Sequence, residues 1–257
     1  MKLPGIFTAI ISTVFSWRAI AGISPLPATA EFRTPDVESD PDRREAQLFH
    51  DREISLKALV PARGGVTIAP YPTFWFYIPP AADVRATLEG YFVLEDAANR
   101  RIYETRLILP KTETLLAINI TAETLPPLEI GQSYRWFFTV WNVDPACGNT
   151  VSGTVERVAS DPSLRAALET ATYRERPQLY ADHGIWYDSI STLAELRRTD
   201  PTDTTLATQW YNLLRSVGLE EFAEVPFTNR LSSSEYRPPD TDINPFLHPG
   251  YESSPCE

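Results

Sequence analysis

Five consecutive aromatic or branched apolar residues, Phe74-Trp75-Phe76-Tyr77-Ile78, stand between Pro72-Thr73 and Pro79-Pro80. A helix tolerates neither proline in its interior nor so many residues that lose side-chain freedom against the preceding turn. The run therefore predicts one β-strand whose ends the prolines fix. Side chains alternate across a strand, so Phe74, Phe76 and Ile78 face one way and Thr73, Trp75 and Tyr77 the other. Both faces carry large apolar groups. One can join a core; the other needs a cover, which a helix, a second chain or a ligand could supply.

The strand pattern continues on both sides. Ile54–Val60 alternates, with Ile54, Leu56, Ala58 and Val60 expected inward, and the turn Arg63-Gly64-Gly65 follows. Further strands are expected at 87–95, 102–109, 115–121, 133–143 and 151–158, with turns such as Ala97-Ala98-Asn99-Arg100 between them. Seven or so short strands at this spacing predict an antiparallel β-sandwich over residues 53–159. Within it, Leu125-Pro126-Pro127-Leu128-Glu129-Ile130-Gly131 leads through Gln132-Ser133 to Tyr134. A proline-rich corner followed by Tyr is the arrangement of the tyrosine corner in immunoglobulin-like and fibronectin type III sandwiches, where the hydroxyl pins the corner.

The period changes after Ala159. Asp161-Pro162 is a helix start, with Asp161 as N-cap, and Leu164, Ala167, Leu168 and Ala171 share a face. A second helix is expected over 187–197 on Ile190, Leu193 and Ala194. A third starts at Asp203 or Thr204, buries Leu206, Trp210, Leu213, Leu214 and Val217, and ends at Gly218. The last two, joined through Asp200-Pro201-Thr202-Asp203, make an αα-hairpin like a single tetratricopeptide-type unit; no second copy appears, so no solenoid is expected. The fold class is thus mainly β with a helical C-terminal part, residues 160–225, packed on the sandwich. Residues 31–52 read as a linker, and the polar, proline-rich stretch 226–257 as a disordered tail.

The N-terminus carries the pattern of an export signal. Lys2 precedes the apolar run 3–17, and small-x-small sites stand at Ala19-Ile20-Ala21 and Ala28-Thr29-Ala30, so cleavage is expected after Ala21 or Ala30. Arg18 ends the run before it could span a bilayer, so a membrane is met only through an uncleaved signal, if at all. The expected location is periplasmic or extracellular. An oxidising compartment would permit a disulfide between the two cysteines, Cys147 and Cys256; two free thiols are the alternative. The formal charge is −11, and removal of the signal takes away two cations. Such a chain repels phosphate backbones, which excludes nucleic acid as a partner.

Three blocks stand out together: Leu59-Val60-Pro61 through Pro72–Pro79, Pro126-Pro127-Leu128-Glu129-Ile130-Gly131, and Gly184-Ile185-Trp186-Tyr187-Asp188 through Leu193-Ala194-Glu195-Leu196-Arg197. Over about Ile54 to Pro226 the chain resembles a cyanobacterial exported family known only as domain of unknown function 928. The resemblance implies an exported protein and carries over no catalytic residue.

Candidate chemistry is sparse. Of the histidines, His50 and His248 fall in predicted linkers, and only His183 could act as a general base, oriented by Asp182 or Asp188. Capping a helix end beside Gly184 is its plainer role. No Gly-x-Ser-x-Gly elbow, dinucleotide fingerprint, phosphate loop or zinc spacing occurs, so no cofactor or metal is implied. The acidic pairs Glu95-Asp96 and Glu220-Glu221 suit water-facing turns, and Asp144, Asn149 and the 200–203 loop lack the ligand density of a calcium site. Asn119-Ile120-Thr121 matches a glycosylation acceptor but falls within a strand. What remains is aromatic. Trp75, Tyr77, Phe137 and Trp141 could share the outer face of the sheet. Exposed, they would make a stacking platform for a glycan or an interface for a protein. Covered, they would form the seam with the helices, whose own Trp186, Tyr187, Trp210 and Tyr211 must also bury. The expected function is that of a non-enzymatic accessory module binding a protein or an envelope component; a carbohydrate-binding domain and a hydrolase using His183 are the alternatives.

Overall fold

The computed structural model describes residues 56–81, 85–142, 148–228 and 236–237. The signal, the linker, His50, His248, Cys147 and Cys256 lie outside these residues, as does the loop holding Asp144.

Among the described residues nine strands form two sheets. The smaller has the order β1 (Lys57–Ala58), β3 (Thr73–Ile78), β6 (Thr114–Asn119). The larger runs β2 (Gly65–Thr67), β8 (Asn149–Arg157), β7 (Gln132–Trp141), β4 (Glu89–Glu95), β5 (Arg101–Ile108), β9 (Tyr236–Arg237). Side chains of the two sheets interlock. Phe74 meets Phe92 at 4.9 Å between ring centres, and Phe76 meets Phe138 at 4.4 Å. Phe74, Phe76 and Ile78 are at most 1 % exposed, so the inward face of β3 is the one the alternation assigns. Gly153 of β8 lies opposite Trp136 of β7. A Cβ there would stand 2.3 Å from the indole, so only glycine leaves room for this ring.

The sheets are not wholly antiparallel as expected. β2 pairs with β8 in parallel. The turn read at Arg63-Gly64-Gly65 closes earlier, with the Gly64 N–H donating to Pro61 O, and Gly65 already belongs to β2. The first strand is also shorter than expected. Leu59, not Ala58 or Val60, joins Leu56 in the core, and its N–H donates to Trp75 O from outside the two paired residues of β1.

Among the described residues four helices follow: α1 (Pro162–Thr170), α2 (Arg176–Asp182), α3 (Trp186–Thr199) and α4 (Thr204–Arg215). Asp161 caps α1, accepting from the Ser163 N–H, though Leu164 is the only fully buried residue of the face expected there. Asp203 caps α4 through the N–H groups of Thr205 and Leu206. Gly218, at φ +74°, takes the left-handed position after α4 that the sequence reserves for it. Helix α2 was not expected; it is short and has no side-chain cap at its N-terminus.

The core runs without a break from the sheets into the helices. Trp186 is fully buried and donates from Nε1 to Leu59 O. Tyr187 enters between the sheets, with its ring 5.5 Å from that of Phe74. Its hydroxyl accepts from Trp136 Nε1 and donates to Thr154 O. Residues 226–228, expected to open the tail, hold fixed places. Pro226 O accepts from Leu115 N, Thr228 N donates to Leu115 O, and Phe227 packs on Trp75 and Trp210. Further along the expected tail, Tyr236–Arg237 pairs with the edge of β5.

Candidate functional site

The four aromatic residues singled out by the sequence do not share a face. Trp75 and Tyr77 belong to the smaller sheet, Phe137 and Trp141 to the larger. The outer face of β3 is covered. Trp75 donates from Nε1 to Ser191 Oγ of α3 at 3.2 Å and packs edge-on against Phe227. Tyr77 packs on Phe222, in the short 3₁₀ turn Glu220–Phe222, and donates to Glu113 Oε1. Burial, together with Glu113 as acceptor, pushes its hydroxyl up to about 12. These two residues are therefore the seam between sheet and helices.

On the larger sheet the charged side chains of the same face cover the aromatics. Arg106 lies 5.4 Å from the ring centre of Trp141, and Arg135 lies 5.7 Å from that of Phe137. Trp141 is buried with Tyr91 and Val93, while Phe137 is half-buried. Glu89, Glu95 and Glu104 pair with Arg106, Arg135 and Arg101. The Tyr91 hydroxyl donates to Glu104, and burial drives its pKa upward. Cation–π contacts and ion pairs thus occupy the surface a stacking platform would need.

His183 is exposed at the end of α2. Its Nδ1 donates to Leu179 O at 2.8 Å, and Nε2 stands 3.4 Å from Ser163 Oγ. The carboxylate nearby, Asp161, accepts from the Ser163 hydroxyl rather than orienting the imidazole. Of the two expected orienting groups, Asp182 accepts from Gln178, and Asp188 accepts from Thr67 Oγ1 and Ile68 N. A triad needs the imidazole between hydroxyl and carboxylate; here the hydroxyl lies between them. The cluster ties α1 to α2.

Among the described residues, a groove of about 460 Å³ beside Trp75 has room for a ligand. Helix α3 forms one wall with Ser191, Thr192, Glu195 and Arg198. Strands β3, β5 and β6 form the floor and the opposite wall, and Tyr173, between α1 and α2, stands at the rim. The volume falls within the roughly 300–1,000 Å³ of ligand sites. Thr73 donates to Asn119 Oδ1 across the floor, and Arg198 pairs with Glu195 at 3.1 Å. Of the four aromatic residues expected to form the site, only Trp75 lines this groove. The other lining residues were missed because they converge from elements far apart in the chain. One signal was available: Ser191, Glu195 and Arg198, at helical spacing, draw a polar stripe beside the apolar face of α3.

The fold and groove together define a two-sheet protein with a helical cover and a polar cleft along the line where they meet. The chain belongs to the family Domain of Unknown Function (DUF928), whose model matches residues 41–227. That span takes in the sheets from β1 to β8, all four helices and the groove up to Phe227. No curated protein matches the chain.

Proposed function

We propose that this protein is an exported, non-enzymatic accessory module that binds a component of the cell envelope in the groove beside Trp75. The observation that carries the reading is the groove itself, a ligand-sized cleft lined by hydroxyl, amide and charged side chains. Export is supported by Lys2, the apolar run 3–17 and the two small-x-small sites. An immunoglobulin- or fibronectin-like architecture of the sheets is supported by the corner at Tyr134, whose hydroxyl accepts from the Glu129 N–H at 2.8 Å. That architecture commonly serves as a binding scaffold, which is an argument by analogy. The hydrolase alternative gains nothing from His183, which has no carboxylate behind its imidazole.

The test is co-sedimentation of the mature chain with an isolated envelope fraction. Binding should be retained by wild type and lost in a Tyr173→Ala, Asn119→Ala double variant whose melting curve is unchanged. A chain that stays in the supernatant, or a variant that sediments like wild type, overturns the proposal.

A further inference from the structure

We infer that the groove takes a neutral oligosaccharide, with a sugar ring against Tyr173 and its hydroxyls toward Ser191, Asn119 and the Glu195–Arg198 pair. This inference rests on the binding-module reading above and names its ligand. Sugars present hydroxyls that both donate and accept, on rings with weakly polar faces. The groove offers the matching set. Trp75 Nε1 donates to Ser191 Oγ, which leaves the serine's own hydrogen as a donor. Asn119 uses Oδ1 to accept from Thr73, so its two Nδ2 donors are not spent on that bond. Tyr173 is 50 % exposed at the rim; Arg176 lies 5.8 Å from its ring centre, so a sugar would meet the part of the ring that Arg176 leaves open. Trp75, only 6 % exposed, is floor rather than platform; it is a positioning residue for Ser191.

Charge narrows the class. Among the described residues Arg198 is the one cation in the groove's lining, and Glu195 pairs with it; Arg176 lies beside the groove, against the Tyr173 ring. The chain as a whole is strongly acidic at −11. A phosphorylated or carboxylated ligand would meet repulsion, and the cation in the described lining, Arg198, is already paired. An extended peptide is matched less well. Such a ligand commonly adds its backbone to a sheet edge, and part of each edge near the groove is already engaged, at Leu115 by residues 226–228 and at Arg106 and Leu107 by β9.

The experiment is titration of the full mature chain with neutral tetrasaccharides of β-1,4-N-acetylglucosamine, β-1,4-glucose and α-1,4-glucose, and with an acidic tetragalacturonate, followed by calorimetry and saturation-transfer NMR. At least one neutral sugar should bind. Tyr173→Ala should weaken it by about tenfold, the scale of one aromatic contact. Glu195→Gln should weaken it less, and Ile130→Ala, 58 % exposed and outside the groove, should leave it unchanged. Preference for the acidic sugar, or sugar binding indifferent to Tyr173→Ala and Asn119→Ala, overturns the inference. If no sugar binds while protease treatment of the envelope abolishes co-sedimentation, the ligand is a protein: the sugar inference fails and the binding-module reading survives. No binding in either assay removes both.

Discussion

Asp188 shows how a single side chain couples the helices to the sheets and to pH. It lies in the first turn of α3 and accepts from Thr67 Oγ1 at 2.6 Å and from Ile68 N at 3.2 Å, at the end of β2. Burial nevertheless pushes its carboxyl up to about 6 from an ordinary 3.8, because the hydrogen bonds only partly offset the lost water. The folded state then holds this proton more tightly than the unfolded chain. Its contribution to stability is complete below pH about 4 and is lost as pH rises through about 6. Asp188→Asn keeps the acceptor oxygen and removes the charge. Relative to this variant, wild type should lose on the order of 1–3 kcal/mol between pH 4 and pH 7. Urea melts of both proteins across that range measure the difference, which also cancels the opposite slope from Asp161 and Asp203, whose hydrogen-bonded carboxyls are held low. Parallel pH profiles would show that burial does not raise the Asp188 carboxyl above its value in the unfolded chain.

Among the elements, the corner before β7 and the cap of α4 hold chain direction with side chains the sequence makes visible. Tyr134 is 6 % exposed, and its hydroxyl is the acceptor for the Glu129 N–H. Tyr134→Phe keeps the ring and leaves that donor without its partner, so denaturant unfolding should show a loss of about 1 kcal/mol. Asp203 accepts from two helix N–H groups and from Arg174 Nη1 at 2.7 Å. Asp203→Ala should cost about 1 kcal/mol, most of it the cap, because exposed ion pairs contribute little. An unchanged midpoint in either melt would contradict the role assigned. Both features were legible because turn and cap chemistry is local. The long strands and α3 and α4 were legible for the related reason that their burial repeats at a fixed period. β2 was not, since three residues that begin on the second of two glycines carry no period, and its partner β8 lies some ninety positions away. α2 was hidden by its seven-residue length and uncapped start. β1 misled because Ile54–Val60 alternates on paper, while packing puts Leu59 inside.

At the scale of the molecule, a change of period near residue 160 marks a change of element and not an edge of the core. The sequence shows where strands give way to helices, yet which aromatics meet across that point is a matter of long-range packing. This is why Trp75 and Trp141 looked alike in the sequence and differ in the structure. Without the helices, the outer face of β3 would expose Trp75 and Tyr77, and the space between the sheets would lose Tyr187 and its hydrogen bonds to Trp136 and Thr154. An apolar surface of that kind favours association over a monomeric fold. Residues 31–160 expressed alone should therefore elute as aggregate and show poor dispersion in an amide correlation spectrum. The chain from residue 31 onward should unfold in one transition, with far-ultraviolet dichroism and tryptophan fluorescence superimposing. Because Trp75, Trp136 and Trp141 report the sheets while Trp186 and Trp210 report the helices, separate transitions would show up as non-coincident probes. A monomeric, well-dispersed 31–160 fragment would mean that the sheets fold unaided. The groove would then lie between two independent units, and its ligand could be gripped by their movement instead of by a preformed cleft.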